Sequence, residues 1–470
     1  MNFSAVIARS FLILLCASPL LNGVGKNIIV LGNGVTGTYT AAKLSKLGHK
    51  VTVIDADKNG GGRIKSFSYK EKKYDHGATA VGGHYDYVIP LVKKYNLTML
   101  PVPPIYDLKN GLSLFNSTKN DYGFLKTIKD IGKYTYLTSY YPHQSPGYEQ
   151  AATESILSSG TWDYLKDQKI ESMERILRVV LPLYGYSHGY RETNSELSIL
   201  NEVPMAHTVK VFSSSLSAQI MRYGLPLIGR FFSTPEYVIQ EGFEELYSKI
   251  YEESLQSGVV YLNDRIESVS YSQGSGKVRL FGDQIYSCDS LICTIPPGNM
   301  TDLTIEGISS SQKKAILNLK YNYYGTTIFE LSEEAHKRIP QRQYGNFEYS
   351  GYEPALLLNK FQNDPVWISY NYVKGLDQKN YDNSAVALKN LLSSRFAIEP
   401  EDVKVLSQRY VKYYPHPQYP DLMQSMAKTF SGMQGMYDGK LYFTGASYDF
   451  DIVDGVIRHA DSLVEKYFKD

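Results

Sequence analysis

The chain has 470 residues, of which 43% are apolar and 21% charged, and a formal net charge of +1. That balance excludes a disordered chain and leaves no basic footprint for nucleic acid. The length exceeds one ordinary core, so two interleaved domains are expected.

Arg9, the apolar run Phe11 to Leu21, and the small residues Gly23 and Gly25 have the layout of a secretory signal peptide. Residues 1–25 are therefore expected to be removed, with the mature chain starting near Val24 or Lys26. The run is too short for a bilayer core of about 30 Å, so no transmembrane anchor is expected from it. A secreted or secretory-lumen protein is the expectation, with Asn96, Asn116 and Asn299 as glycan sites in Asn-x-Ser/Thr triplets.

Lys26 to Leu31 suits a buried parallel strand and runs into Gly32-Asn33-Gly34-Val35-Thr36-Gly37. A helical pattern follows, with Val35, Ala41, Ala42, Leu44 and Leu47 apolar, and Gly48 ends it. Val51 to Ile54 is a second strand, ending on Asp55. This is a complete βαβ dinucleotide fingerprint. Gly32 serves the tight turn, Gly34 admits a pyrophosphate to the backbone, and Gly37 lets helix and strand pack closely. The helix N-terminus at Val35 offers free N–H groups and a positive dipole to phosphates. Asp55 stands where an acid accepts a ribose hydroxyl. The fingerprint serves NAD and FAD alike.

Gly60-Gly61-Gly62-Arg63 comes next, then a strand from Ile64 to Tyr69, a charged turn, and Tyr74-Asp75-His76-Gly77-Ala78. In this order the segments resemble the flavin amine-oxidase superfamily. The resemblance implies an α/β fold: a discontinuous Rossmann-type FAD-binding domain with an inserted α+β substrate domain. It also implies that Gly61, Gly62, Gly77 and Ala78 lie along FAD and that Arg63 approaches its pyrophosphate or flavin end. A guanidinium fork suits phosphate oxygens.

Glu241-Gly242-Phe243 opens a helix to about Gln256, and Val259 to Leu262, Ile266 to Ser270, and Val278 to Phe281 read as strands. Ser290 to Ile295 is a buried strand stopped by Pro296 and Pro297. By resemblance, Ile266 meets the adenine through its backbone. Cys288 and Cys293, five apart on one apparent strand, are poorly placed for a disulfide and read as small buried hydrophobes. The nine histidines show no metal-ligand spacing.

Near the C-terminus, Lys440 to Ala446 is a strand ending in glycine, Ser447 to Val453 a loop, and Asp454-Gly455-Val456 the start of a helix with Asp454 as N-cap. In the family the corresponding helix points its N-terminus at the flavin ring, which implicates Gly445, Asp454, Gly455 and Val456. The resemblance covers 26–100, 235–300 and 405–470 as the FAD-binding domain. Residues 101–234 and 301–404 remain for the substrate domain, with helices at 153–180 and 384–396 and strands at 321–331 and 366–373.

Many amine oxidases place a lysine beside the flavin in the strand matching Tyr323 to Leu331; here Thr326 or Thr327 takes its place. Tyr413-Tyr414-Pro415-His416, Gly445-Ala446 and Phe450 are more similar to the β-cyclopiazonate dehydrogenase-like branch. Members of that branch can tether flavin through a histidine where this chain has Arg63, so non-covalent FAD is expected. Prenylcysteine oxidase is a second relative over the N-terminal hundred residues. The resemblance implies hydride transfer from a small organic substrate, an amine or thioether, to flavin N5, and outside the cell dioxygen is the expected acceptor. Tyr414, His416, Tyr448 and Phe450 are the candidates near the ring. The 41 tyrosines are either compositional bias or walls of a pocket. The rivals are a binding protein of this fold that has lost FAD and an NAD-dependent dehydrogenase.

Overall fold

The computed structural model describes residues 25–83, 85–138, 147–183, 185–186, 203–212, 236–295, 302–346, 349–449 and 451–469. The proposed signal segment up to residue 24, Asn299 and Phe450 lie outside them.

Strand Asn27–Leu31 is the centre of a five-stranded parallel sheet. It pairs with Lys50–Asp55 on one side and Ser290–Cys293 on the other. Val260–Asn263 and Leu441–Phe443 complete the edges. The central strands are apolar almost throughout because helices cover one face of the sheet and the antiparallel strands Ser268–Ser272, Lys277–Phe281 and Ile285–Cys288 cover the other. Helix Val35–Lys46 packs between helices Phe243–Gln256 and Val453–Tyr467. Three sequence-distant stretches thus build one layer around the fingerprint.

The second large sheet has six strands, with Leu319–Leu331 held between Val403–Pro417 and Val366–Tyr372 in antiparallel pairs. Its strands alternate less cleanly than solvent-facing ones because helices and loops bury both faces; Val366–Tyr372 is buried at every position. No helix among the described residues is long and apolar enough to cross a membrane.

Several local expectations shift. The helix expected at 153–180 is broken into Ser155–Ser158, Thr161–Asp167 and Ser172–Leu183. Gly160 takes extended backbone as an N-cap, and Lys169 turns left-handed at φ 52°. The helix at 384–396 starts earlier, at Gln378, because the Asp377 side chain accepts the Asn380 amide and caps it. The strand expected at 266–270 runs instead over Ser268–Ser272. Asp264, just before it, is engaged by the Asp283 and Gln284 amides and the Tyr286 hydroxyl, which hold that stretch as a loop. Cys288 and Cys293 end two different strands in two different sheets; both are buried free thiols, with burial raising each pKa to about 12.

Candidate functional site

A single cavity of about 850 Å³ runs from the fingerprint to the six-stranded sheet. It lies in the upper part of the range of about 300–1,000 Å³ usual for ligand sites. Its fingerprint end is built by sterics. Gly32 adopts φ +112°, and a Cβ there would sit 2.4 Å from the Thr294 hydroxyl. A Cβ on Gly37 would stand 1.9 Å from the Gly32 carbonyl oxygen, so this glycine serves helix–strand contact and does not line the cavity. At Gly34 nothing stands within 4 Å of an added Cβ. The backbone there faces open space at the start of Val35–Lys46, a helix whose N-terminus no side chain caps. Asp55 closes the end of the second strand, its carboxylate accepting the amides of Asn33 at 2.5 Å and Asp57 at 2.7 Å.

Of the other expected cofactor residues, Val35, Gly61, Gly62, Arg63, Gly77, Ala78, Ile266 and Val456 also line the cavity. Gly61 is bound to the fingerprint loop through its amide and the Asn33 carbonyl, 2.8 Å apart. Gly445 does not line it; at φ +108° it packs against the Thr294 carbonyl.

The C-terminal helix needs three corrections. It starts at Val453 with Ile452 as N-cap, so Asp454 lies inside the first turn. The Asp454 carboxylate turns away from the cavity. It accepts the amides of Tyr87 and Val88 at 2.8 and 2.9 Å and a bond from Arg458 at 2.5 Å. Asp454 therefore caps the neighbouring helix Val88–Lys94, which has no cap of its own. Gly455 is buried without lining the cavity; Ile452, Val453 and Val456 form the cavity-facing edge of that turn.

The aromatic candidates are displaced by one residue. Between Lys320 and Asn322 the pairing of strand Val403–Pro417 slips, so Lys320 faces His416 and Asn322 faces Tyr413. Tyr414 takes up the slip at φ 54°. Tyr413 shares the cavity face with Arg409 by strand alternation, and Tyr414 faces out of the cavity. The Tyr414 hydroxyl meets His207 Nδ1 at 2.5 Å, and His416 stacks on the Tyr414 ring with Nδ1 donating to the Tyr414 carbonyl at 2.6 Å. Tyr448 packs on Phe430 and Phe443, likewise away from the cavity.

Sequence reasoning missed what the bulge assembles. The Tyr414 amide donates to Asp451 Oδ2 at 3.0 Å, and the same carboxylate pairs with Arg63, whose guanidinium lies 5.8 Å from the Tyr413 ring centre. Tyr186, Tyr321, Tyr324 and Tyr370 also line this end, together with Glu236. Burial pushes the phenols of Tyr186, Tyr324 and Tyr413 far above their usual value, so they are neutral at physiological pH. Part of the tyrosine surplus does wall a pocket. The only local signal was strand alternation around Tyr413, which separates it from Tyr414 without saying which face meets the cavity.

Of the two threonines weighed for the lysine position, Thr326 lines the cavity and Thr327 does not. Thr327 bonds the Tyr410 hydroxyl at 2.9 Å. Thr326 Oγ1 meets Nδ1 of the buried His76 at 2.5 Å, and His76 Nε2 meets Ser407 Oγ at 2.8 Å. Burial, with Arg409 adding to it, lowers the His76 pKa to about 4. A histidine lowered on folding leaves the unfolded chain to bind the proton first, so stability present above the unfolded value of about 6.5 is lost as pH falls toward 4. The expected loss over that window is about 3 kcal/mol. Urea midpoints at pH 7 and 4.5 check it: His76→Gln should be distinctly less acid-sensitive than the wild type. Parallel pH dependences would assign the acid lability to other groups.

Residues 35–462 match the family described as flavin containing amine oxidoreductase. The chain belongs to that family. FAD is its cofactor, and the residues present fit one: open backbone at Gly34, an uncapped helix N-terminus, an acid at Asp55, and a cavity continuing past Gly61 to Arg63. Among solved structures, a conjugated-linoleic-acid-producing fatty acid isomerase from P. acnes is similar with a TM-score of 0.75 at 15% identity, covering 94% of this chain and 99% of that one. A redesigned putrescine oxidase has a TM-score of 0.69 at 13% identity, with 95% and 99% covered. These likenesses show the fold. An inactive all-trans-retinol 13,14-reductase of Danio rerio is 43% identical over 56 residues, so the match spans 12% of this flavoprotein and only 9% of that curated relative.

Proposed function

We propose that this flavoprotein is a secreted oxidoreductase that oxidises an amine at the carbon beside nitrogen, with dioxygen as the electron acceptor. The observation that carries the reading is the continuity of the cavity. One continuous space joins the dinucleotide fingerprint to a tyrosine-walled chamber that Glu236 and Asp451 also line. FAD, when bound, supplies the acceptor for a hydride. The chain's own residues then position the substrate and keep water away. Val102, Leu183, Leu356 and Leu358 give the chamber apolar wall. Neutral tyrosine rings present their negative faces to an ammonium group, which favours a cation over a neutral thioether.

The test is anaerobic loss of yellow absorbance against a panel of amines, amino acids and thioethers. Bleaching by amines is expected. Bleaching by thioethers alone would move the substrate class, and no bleaching by any of them would favour a binding role. The flavin is expected to be non-covalent, so acid denaturation should release the colour into the filtrate; colour kept on the polypeptide would contradict this.

Secretion has its own check. Asn96 is exposed in a turn at φ 55°, whereas Asn116 lies in helix Leu114–Tyr122 with the Thr118 of its triplet fully buried. Secreted material should therefore lose mass on glycosidase treatment, with Asn96→Gln removing part of the shift and Asn116→Gln none. Retention of the chain inside the cell would count against secretion.

A further inference from the structure

Three arginines line the cavity: Arg63, Arg265 and Arg409. Arg63 pairs with Asp451 and Arg265 with Asp302. Arg409 forms no ion pair with any described residue and is gripped from behind by carbonyls instead. Its Nη1 donates to Arg63 O at 3.0 Å and His76 O at 3.4 Å, and its Nη2 to Gly62 O at 2.9 Å. A guanidinium has five N–H donors, so these bonds leave it donors for a ligand. Carbonyl oxygens solvate the cation without neutralising it. Burial holds the Arg409 pKa below its ordinary value; Glu244, Tyr381 and Asp57 act against that shift, and Arg63 reinforces it. A half-buried guanidinium without a directly bonded counter-charge is costly to keep.

The loop that Arg409 grips is the loop laid against the fingerprint. The Gly61 amide bonds the Asn33 carbonyl, and a Cβ on Gly62 would lie 3.4 Å from the Gly34 Cα. Arg409 thus holds the loop that lies against the uncapped start of helix Val35–Lys46, and both line the same cavity. We propose that Arg409 is an oxyanion-holding residue of this cavity, and that the missing counter-charge arrives with the ligand as the phosphate oxygens of the bound dinucleotide. The proposal rests on the reading that the cavity holds FAD. A substrate carboxylate has the same chemistry, and the test separates the two sources.

The full-length flavoprotein is diluted at low and high salt, and released FAD is followed by its fluorescence for wild type, Arg409→Gln and Arg409→Lys. Arg409→Gln should weaken retention by about 10- to 100-fold, the worth of a charge-assisted hydrogen bond, and flatten the salt dependence. Lysine keeps the charge but cannot clasp three carbonyls, so Arg409→Lys should restore most of both. If Arg409 only clamps the loop, lysine will be as weak as glutamine and both will keep the wild-type salt dependence, which overturns the proposal. Unchanged FAD retention with a lost spectral response to hexanoate would assign the oxyanion to a substrate carboxylate. Unchanged responses to both would overturn the proposal outright. A wild-type chain that purifies colourless would overturn the cofactor reading and this inference together; with yellow wild type, only the inference is at stake.

Discussion

Gly34→Val should give a folded protein without flavin, and Gly37→Val should fail at the fold itself. The two glycines stand three residues apart in one motif, yet they meet different neighbours. An added Cβ at Gly34 finds nothing within 4 Å, and its backbone at φ −79° and ψ 178° is open to any residue. The valine side chain therefore enters the cavity, where a pyrophosphate must approach the backbone. Occupancy should fall by 100-fold or more (about 3 kcal/mol), since steric exclusion removes several phosphate–amide contacts together. At Gly37 the added Cβ would sit 1.9 Å from the Gly32 carbonyl oxygen and 3.1 Å from the Thr294 hydroxyl. Backbone cannot swing aside there, so helix and strand must separate. Far-UV dichroism and the 450 nm flavin band, measured on both purified variants, distinguish the outcomes. A yellow Gly34→Val, or a Gly37→Val as stable as wild type, would contradict the assignment of roles.

The motif that makes this prediction possible was legible because its physics is local. Strand, glycine turn, helix and acid fall within 29 residues, from Asn27 to Asp55, and each is fixed by its own neighbours. The same holds for the Gly61–Arg63 loop and for the strands flanking it. Legibility fails where a side chain answers a distant partner. Asp454 has the residue type and place of an N-cap, but the helix it caps begins 366 residues away at Val88. Asp451 was passed over as a loop residue because Arg63, its partner, lies 388 residues distant.

The substrate chamber was harder still. Its walls come from strands whose alternation predicts which face each tyrosine takes, and a one-residue slip reverses that for everything beyond it. Tyr413 and Tyr414 are identical in the sequence. Alternation puts them on opposite faces, and distant partners, the Arg63 loop on one side and His207 on the other, decide that Tyr413 is the one in the cavity. Those partners lie far away in the sequence, so no window around Tyr414 carries the signal.

Lys360 likewise answers a distant partner, and its removal should be among the most destabilising single changes in the chain. Its ammonium and the Asp75 carboxylate are both wholly buried, 2.9 Å apart, and the ammonium also donates to the Lys73 carbonyl at 2.8 Å. Asp75 in turn accepts the Ser66 hydroxyl and the Phe243 amide, each at 2.8 Å. The Phe243 amide opens helix Phe243–Gln256, whose N-cap is a glycine without a side chain to cap it. One carboxylate therefore ties a helix of the dinucleotide layer, the hairpin Lys65–His76, and, through Lys360, the loop after strand Pro354–Leu358. Lys360→Met keeps the apolar stem and leaves Asp75 charged and buried without its counter-ion. Breaking one half of such a pair costs about 3–5 kcal/mol. Adding Asp75→Asn removes the stranded charge while the amide oxygen can still accept from Phe243, so the double variant should be more stable than Lys360→Met alone. Denaturant midpoints of the four proteins, read by far-UV dichroism at pH 7, give the coupling directly. If Lys360→Met costs under about 1 kcal/mol, or the second substitution only adds to the loss, the pair is not what joins these elements.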